Sequence, residues 1–226
     1  ALDSWSLEPE ASSALKAFPL GSVLHVAAGN VFLGCVDSII MSLLTNNVTI
    51  LRLSSSDPFF PILFAESLRE VDVADNLAST LAVVSWPRES VAVESVFKQS
   101  LQGVVIWGGE QAVSSYRDGL PQGCKLIAFG PKLSFAVVSK QGLKETGLCE
   151  AALRAARDIS LWDQAACASP QTLFVQGGRP DEFLRELAKA LHAECRRVPP
   201  GRPSPDEAAS LLEERQRTLA AELSGD

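Results

Sequence analysis

Short apolar runs alternate along this chain with longer segments in which apolar residues recur at helical spacing. Several of the short runs are rich in β-branched residues and apolar at every position, which is typical of strands covered on both faces in a parallel sheet. The runs predict seven strands, at residues 22–27, 48–53, 81–86, 103–107, 125–129, 134–139 and 172–176.

The longer segments predict helices between these strands. Asp57-Pro58 and Gly108-Gly109 lie where two of the helices would begin. The predicted helices lie near residues 31–44, 59–70, 89–101, 110–119, 147–160, 181–195 and 206–223. Strands that alternate with helices over short connections indicate an α/β fold with a parallel sheet and right-handed crossovers.

The last two predicted helices each carry an apolar stripe. In the first of them the stripe is expected to consist of Leu184, Leu187, Ala188, Leu191 and Cys195. A proline-rich linker, residues 196–205, then leads to the final helix. Its apolar stripe is expected to pack against the rest of the protein, with partner binding as the alternative. The stripe consists of Ala208, Leu212, Leu219 and Leu223.

The composition narrows the class of protein. With 46% hydrophobic and 21% charged residues among 226, the chain is globular rather than disordered or collagen-like. Its net charge of −7 argues against nucleic-acid binding, which needs clustered Lys and Arg, but leaves room for a local nucleotide pocket. The longest apolar run, residues 31–44, is broken by Gly34, Asp37 and Ser38, so no membrane span is predicted.

The cysteines indicate whether the protein binds a metal and in which cellular compartment it is found. Five cysteines are scattered without a CxxC pair and only two histidines accompany them, so no metal site is predicted. The first ten residues carry acids where a signal peptide has a basic region. We therefore expect reduced thiols and a cytoplasmic protein.

One cysteine lies where a nucleophile could act. Residues 162–171 read WDQAACASPQ, and Cys167 is flanked there by small residues just ahead of a predicted strand. Nucleophilic use requires a thiolate, which nearby amide donors or a cofactor charge must stabilise. Taken alone, such a cysteine is more often a small buried apolar residue.

Three further segments change this interpretation. Residues 21–57 hold a strand, a glycine turn, a helix and a second strand that ends in Arg52 and a serine cluster. Residues 104–113 (VVIWGGEQAV) hold a strand and a glycine pair at a helix start, and residues 127–138 (IAFGPKLSFAVV) hold a glycine turn between two strands. In this order and spacing the segments resemble the aldehyde dehydrogenase superfamily, closest to its NADPH-dependent fatty acyl-CoA reductase branch. The resemblance covers about residues 20–195.

The resemblance implies roles for two catalytic residues. CASPQ, at residues 167–171, is similar to the CASEQ-like nucleophile stretch of CoA-dependent members, and the preceding Gln164 is of the family type. Asn30 corresponds to the asparagine whose side-chain amide forms the oxyanion hole with the backbone N–H of the nucleophile Cys167. Outside this framework Asn30 would be read as a turn residue after Gly29.

The resemblance also implies a cofactor site. Arg52 stands where the family has a lysine that holds the adenosine ribose, and Ser55 stands where NAD-preferring members often have a glutamate. Without that carboxylate a 2′-phosphate meets less repulsion, so NADPH is expected, with NADH as the alternative cofactor. The serines could instead serve only the start of the next helix. The expected cofactor-binding residues are Arg52, Ser54, Ser55, Gly108 and Gly109.

One departure from the family pattern points to the reaction. Hydrolytic members have an acid that activates water where this chain has Ala128, and Glu110 is better explained as a solvated helix-start residue. The resemblance therefore implies reduction of an acyl thioester to a fatty aldehyde through a cysteine acyl-enzyme. The acyl donor is expected to be CoA or an acyl carrier, with an acyl-transferring protein as a further partner. The alternatives are a CoA-acylating aldehyde dehydrogenase that runs in the oxidative direction and a non-catalytic relative.

The expected architecture follows the superfamily: a Rossmann-type parallel-sheet cofactor domain over residues 1–130, part of an α/β catalytic domain over 131–195, and the linker and amphipathic helix over 196–226. Superfamily members are longer and continue with further strands after the nucleophile. We therefore expect this chain to be about half of a larger enzyme that forms homo-oligomers when complete.

Overall fold

The computed structural model describes residues 4, 6–7, 14–31, 33–74, 76–87, 89–130, 132–177, 180–203 and 205–224. The chain divides into two compact units, Ala1–Leu133 and Ser134–Asp226, and each is described by itself.

The first unit contains strands and helices in alternation. Its strands are β1 (Ser6–Leu7), β2 (Ala14–Leu15), β3 (Ser22–Val26), β4 (Val48–Arg52), β5 (Leu81–Val84), β6 (Gly103–Trp107) and β7 (Lys125–Phe129). Its helices are α1 (Gly34–Leu44), α2 (Phe60–Val71), α3 (Val91–Ser100) and α4 (Glu110–Arg117), with a short 3₁₀ turn at Ala78–Thr80.

Five of these strands form one parallel sheet in the order β5-β4-β3-β6-β7. The central strand β3 pairs with β4 on one side and with β6 on the other, so that Val26 lies opposite both Arg52 and Ile106. This arrangement confirms the predicted parallel α/β sheet. The short antiparallel pair β1–β2 was not predicted.

Helices cover both faces of the sheet, as the fully apolar strands predict. The buried cluster on one face consists of Leu24, Val26, Trp86, Leu101, Val104, Ile106, Val113 and Tyr116. The cluster on the other face, where α1 packs, consists of Cys35, Ile39, Leu43 and Leu51.

The second unit is built around two parallel strands. These are β8 (Ser134–Val138) and β9 (Pro170–Val175). Its helices are α5 (Lys140–Thr146), α6 (Leu148–Ser160), α7 (Pro180–Arg197) and α8 (Pro205–Ser224), with a 3₁₀ turn at Leu161–Gln164. The core between α6, α7 and the strands consists of Ala152, Ala155, Ala156, Phe183 and Leu187.

The buried face of α7 differs from the predicted stripe. Leu187 is buried and Leu191 packs against the same core, as predicted, but Leu184 is 55% exposed. Phe183 and Glu194, which were not predicted, are buried, so only part of the stripe is confirmed. Glu194 accepts hydrogen bonds from Arg157 of α6 at 3.5 Å and from Arg197 at 2.7–2.8 Å. Because these ion pairs compensate the carboxylate, a charged residue occupies a position that the apolar pattern assigned to solvent.

Helix α8 is amphipathic in sequence, but its apolar stripe remains exposed. Leu212 and Leu219 are each 58% exposed, and Leu223 is 89% exposed. The expected packing of this stripe against the rest of the protein is therefore not seen among the described residues. Within the described ranges, every helix is too short or too polar to reach across a lipid bilayer.

Candidate active site

Most of the residues predicted to bind a cofactor, together with Asn30, lie at one edge of the first unit's sheet. Asn30 lies in the loop after β3, Ser54 in the loop after β4, and Gly108 directly after β6. These three strands are neighbours and parallel, so their carboxyl ends share one edge. In open α/β sheets, ligands usually bind at the carboxyl ends of the strands, at the point where the strand order reverses.

Arg52, the last residue of β4, is held by an aromatic platform. The guanidinium carbon lies 4.9 Å from the centre of the Trp86 ring, and Nη2 donates to the Trp86 carbonyl at 3.3 Å. Trp86 in turn stacks on Phe97, with ring centres 4.8 Å apart. Cation–π contact and the carbonyl together fix the arginine, while its buried Nε–H has no hydrogen-bond partner.

Tyr116 of α4 lies in the same part of the unit. It is 2% exposed, and its hydroxyl has no hydrogen-bond partner. Burial raises the pKa of the phenol well above its ordinary value, with opposing smaller effects from Arg52 and Glu94. The phenol is therefore neutral at physiological pH. Lys98 lies over the same ring at 5.1 Å.

The loops after β3 and β4 approach each other closely. A Cβ atom on Gly29 would lie 2.2 Å from Ser54 Oγ and 2.6 Å from Ser56 Cβ, so only glycine fits there. Ser54 Oγ also accepts a hydrogen bond from the backbone N–H of Ser56 at 3.3 Å. Ser55 is exposed. The close approach fixes the loop that carries Asn30 against the serine loop.

The start of α2 is capped by an aspartate rather than by a serine. The carboxylate of Asp57 accepts from the backbone N–H of Phe60 at 3.2 Å. Its negative charge also adds to the effect of burial in raising the pKa of the Cys35 thiol, to about 11. Cys35 is therefore a protonated core residue at neutral pH.

The glycine pair after β6 opens α4. Gly109 is the N-cap residue, and no side chain caps the helix; Gly109 is exposed, with open space at the position of a Cβ. Gly108 N–H donates to the Phe129 carbonyl at 3.2 Å, which ties the ends of β6 and β7 together. Uncapped N–H groups at a helix start favour anions.

These features fit the phosphate groups of a nicotinamide nucleotide. The uncapped start of α4 offers backbone donors, and the guanidinium of Arg52 has a buried Nε–H without a partner at the same edge of the sheet. For a metal, the described residues contain no group of three or more His, Cys, Asp or Glu side chains in a suitable arrangement.

Cys167 belongs to the second unit, in the loop between the 3₁₀ turn and β9. It is exposed, as are Cys149 and Cys195. The neighbouring segment is strained, because Trp162, Asp163 and Gln164 have φ of 61°, 52° and 62°. Each non-glycine residue in this left-handed region costs roughly 1–2 kcal/mol.

Hydrogen bonds hold this strained segment, which we call the nucleophile loop (residues 161–170). The side-chain amide of Gln164 donates to the Ile159 carbonyl. Ser169 Oγ donates to the Leu161 carbonyl at 3.2 Å. Ser134 Oγ of β8 donates to the carbonyl of Cys167 itself at 2.5 Å.

The linker between α7 and α8 also contacts the nucleophile loop. The backbone N–H of Gly201 donates to Asp163 Oδ2 at 2.5 Å. A Cβ on Gly201 would lie 2.6 Å from the same oxygen, so the contact depends on glycine. The predicted proline-rich linker is thus attached to the loop that carries the cysteine.

A cavity of about 250 Å³ lies beside the nucleophile loop. Most of its lining is apolar, with one carboxylate and one hydroxyl. The lining residues are Phe135, Ala136, Asp158, Leu161, Trp162, Ala168, Ser169 and Pro170.

The sequence predicts roles for Cys167 and Gln164, but it gives no indication of three residues that the structure attaches to the predicted ones. Trp86 holds Arg52, Ser134 contacts Cys167, and Asp163 joins the nucleophile loop to the linker. No sequence signal marks Ser134, which is 33 residues from its partner.

Solved aldehyde dehydrogenases share this fold. One is a C269A mutant of propionaldehyde dehydrogenase from the fucose utilisation microcompartment of Clostridium phytofermentans, with a TM-score of 0.64 and 12% identity over 77% of this chain and 39% of that one. Another is aldehyde dehydrogenase C of Pseudomonas syringae, as a C291A mutant with NAD⁺ and octanal, with a TM-score of 0.64 and 14% identity over 82% of this chain and 37% of that one. The aldehyde dehydrogenase-like α/β fold is thereby confirmed.

The family is narrower than the fold. The chain matches the acyl-CoA reductase (LuxC) family over residues 1–226 and belongs to it. It is 33% identical to the long-chain acyl-protein thioester reductase of Photorhabdus laumondii over 98% of this chain and 45% of that protein. It is 34% identical to the long-chain acyl-protein thioester reductase of Vibrio harveyi, over 92% of this chain and 42% of that protein. The chain thus spans less than half the length of these relatives.

Proposed function

We propose that the complete polypeptide reduces a fatty acyl thioester to the aldehyde through an acyl-enzyme on Cys167. The observation that carries the proposal is an exposed cysteine on a strained loop held by hydrogen bonds, just ahead of β9 in an aldehyde dehydrogenase-like fold. The names of the relatives, long-chain acyl-protein thioester reductase, support an acyl thioester of long chain as the substrate.

The first half of the reaction is acyl transfer. The Cys167 thiolate attacks the thioester carbonyl, a new C–S bond forms, and the carrier thiol leaves. We assign the stabilisation of the negative charge that develops on the carbonyl oxygen to the side-chain amide of Asn30 and the backbone N–H of Cys167, the roles that the resemblance implies for them. One such donor contributes about 2.7–4 kcal/mol to transition-state stabilisation.

The second half is reduction. Arg52 and the start of α4 at Gly109 would hold a nicotinamide nucleotide, which would supply the hydride for the thioester carbon. The thiohemiacetal on Cys167 then collapses, the C–S bond breaks, the aldehyde leaves and the thiol is restored. Asn30 and the Cys167 N–H hold the oxygen in this half as well.

We assign the cofactor to Arg52, Ser54, Ser55, Gly108 and Gly109, and we propose NADPH in preference to NADH. The guanidinium of Arg52 offers a fixed planar donor for a phosphate, and the exposed Ser55 brings no carboxylate to repel it. The open start of α4 supports binding of the diphosphate at Gly109.

The residues around the proposed site disfavour hydrolysis of the acyl-enzyme. Ala128 lies exposed near the end of β7 and has no group that could activate water. Glu110, at the start of α4, is exposed, as expected for a solvated helix-start acid. Without a base for water, the acyl-enzyme survives until it is reduced.

Other parts of the proposal concern the complete protein. We propose that it acts in the cytoplasm, as a homo-oligomer, on acyl-CoA or an acyl carrier, with an acyl-transferring protein as a further partner. The division into a cofactor domain (1–130), a catalytic part (131–195) and a tail (196–226) also remains a prediction.

The test uses the complete polypeptide with a long-chain acyl-CoA and NADPH, and follows the near-ultraviolet absorbance of NADPH. We expect turnover in the unmodified protein and none with Cys167→Ala, because the nucleophile is gone. Cys149→Ala and Cys195→Ala, which remove exposed thiols of the same unit, serve as controls and should retain activity. Turnover that persists in Cys167→Ala would overturn the proposal.

A further inference from the structure

We infer that Ser134 is a positioning residue for the nucleophile: its hydroxyl holds the carbonyl of Cys167 and thereby sets how the thiol and the backbone N–H of Cys167 face the substrate. The inference rests on the proposed function, in which Cys167 is acylated. Ser134 does not itself touch the reacting atoms.

The contact is short and joins the loop to a strand. Ser134 Oγ lies 2.5 Å from the Cys167 carbonyl oxygen, at the short end of the range for O–H···O hydrogen bonds. Ser134 is the first residue of β8 and is half-buried, whereas Cys167 is exposed. The bond therefore ties a solvent-exposed loop residue to the central sheet of the second unit.

Backbone pairing between β8 and β9 is irregular at this point. In the β8–β9 register Ser134 lies opposite Pro170, and a proline has no N–H to donate. The register then shifts, so that Phe135 lies opposite Thr172 and Gln171 is skipped. Irregularities of this kind end the pairing and redirect side chains, often beside active sites. The Ser134 hydroxyl forms the cross-strand link on the side of the cysteine.

The loop needs such a link because it is strained. Three consecutive residues, Trp162 to Gln164, have left-handed backbone conformations, which persist only where the surroundings hold them. The other side-chain hydrogen bonds described for the loop join it to Ile159, Leu161 and Gly201, and none of them ends on the cysteine. Only Ser134, among the side-chain contacts described for the loop, reaches Cys167 itself.

Fixing the Cys167 carbonyl restricts rotation about the adjoining backbone bond of that residue. The sulfur of Cys167 must reach the carbon of the substrate carbonyl, and the N–H of Cys167 must donate to the oxygen of the same carbonyl. Misplacement of a reacting group by about 1 Å costs on the order of a hundredfold in rate. Ser134 therefore contributes to the rate of acylation without contributing to the chemistry of the thiol.

The experiment compares variants of the complete polypeptide that differ in one hydroxyl. Ser134→Thr keeps the hydroxyl donor. Ser134→Val has nearly the same shape as the threonine variant but lacks the hydroxyl. Ser134→Ala removes the hydroxyl and leaves a smaller side chain. Ser139→Ala is the matched control, because that serine lies at the other end of β8 and only caps α5, where it accepts from Gly142 N–H at 3.0 Å. Acylation is measured as the thiol released from a long-chain acyl-CoA in the absence of NADPH.

We expect acylation to fall about tenfold to a hundredfold in Ser134→Val and Ser134→Ala, while Ser134→Thr restores it. Alkylation of Cys167 by iodoacetamide should stay unchanged in all three, because it needs an accessible thiol but no oxyanion geometry. Ser139→Ala should lower thermal stability and leave acylation intact.

Three results would overturn the inference: normal acylation in Ser134→Val, equal loss in Ser134→Thr and Ser134→Val, or a parallel fall in alkylation and acylation. The proposed function fails separately, if Cys167→Ala still releases thiol. An inactive Cys167→Ala together with a normal Ser134→Val would reject only the role of Ser134.

Discussion

His25 lies in the middle of the first unit's sheet, on β3 beside Leu51 of β4. It is 4% exposed, and neither ring nitrogen has a hydrogen-bond partner. Burial lowers the pKa of the imidazole from 6.5 to about 4. The folded protein therefore holds this histidine neutral at a pH where an unfolded chain would protonate it.

Acid should destabilise the protein through this residue. Between pH 6.5 and about 4 the unfolded state binds the proton and the folded state does not, so stability present above pH 6.5 is lost as the pH falls. The shift corresponds to about 3 kcal/mol. In urea unfolding of the complete polypeptide, we expect the free energy of unfolding to fall less between pH 7 and pH 5 in His25→Leu than in the unmodified protein.

The other histidine is the control. His192 is exposed on α7, so His192→Leu is the matched variant at a solvent-facing position. Equal pH dependence in the unmodified protein and in His25→Leu would contradict the prediction.

At the scale of elements, Lys98 holds the end of α4. The ammonium group donates to the carbonyls of Ser115 and Asp118 at 2.8 and 3.0 Å and pairs with Glu94 at 2.9 Å. The side chains of this pair are only 10% and 18% exposed. Lys98 thus satisfies carbonyls that the helix end leaves without a partner and joins α4 to α3.

Removal of this lysine should loosen the helix whose start carries Gly109. We expect Lys98→Met to lower the free energy of unfolding by about 3 kcal/mol, because Glu94 then remains as a largely buried charge without its partner. Denaturant unfolding of the complete polypeptide measures this change.

Lys189→Met is the matched variant, since Lys189 pairs with Glu186 at 2.6 Å but is 70% exposed. Its effect should stay within about 1 kcal/mol. If Lys98→Met lowers the free energy of unfolding no more than Lys189→Met does, the end of α4 does not depend on the buried pair.

The elements also show how far the pattern of apolar residues predicts structure. Strands β6 and β7 have the predicted bounds, because glycines and polar residues end their apolar runs sharply. Helix α5 was missed, because its sequence, KQGLKET, is polar and contains a glycine. Its start depends on Ser139, which accepts a hydrogen bond from Gly142 N–H.

At the scale of the whole molecule, the second unit leaves an apolar sheet face open. Phe135, Val137 and Phe174 are 65%, 60% and 56% exposed, and the two phenylalanines meet edge to face with ring centres 5.8 Å apart. Parallel strands are normally covered on both faces, and two strands form a minimal sheet.

We therefore expect the isolated 226-residue chain to be poorly stable and inactive, and we expect the complete polypeptide to be folded and to have the proposed activity. Thermal unfolding and the NADPH absorbance assay on both proteins test this expectation. Turnover by the isolated chain, or unfolding as cooperative as that of the complete polypeptide, would contradict it.

The sequence by itself determined the class of fold, most of the helices and strands near their observed bounds, and the resemblance that led to Cys167. These depend on local properties: the period of apolar positions, the turn residues, and short motifs such as CASPQ. The chain also matches the acyl-CoA reductase (LuxC) family over residues 1–226, in agreement with the family that the resemblance indicated.

Tertiary structure decided the strand order β5-β4-β3-β6-β7, the buried face of α7, and the contacts of Arg52 and Cys167. Arg52 meets Trp86 across 34 residues, and Cys167 meets Ser134 across 33. Glu194 is buried only because arginines on two helices compensate its charge. Such contacts join residues that no local pattern relates, and they form only when the chain packs.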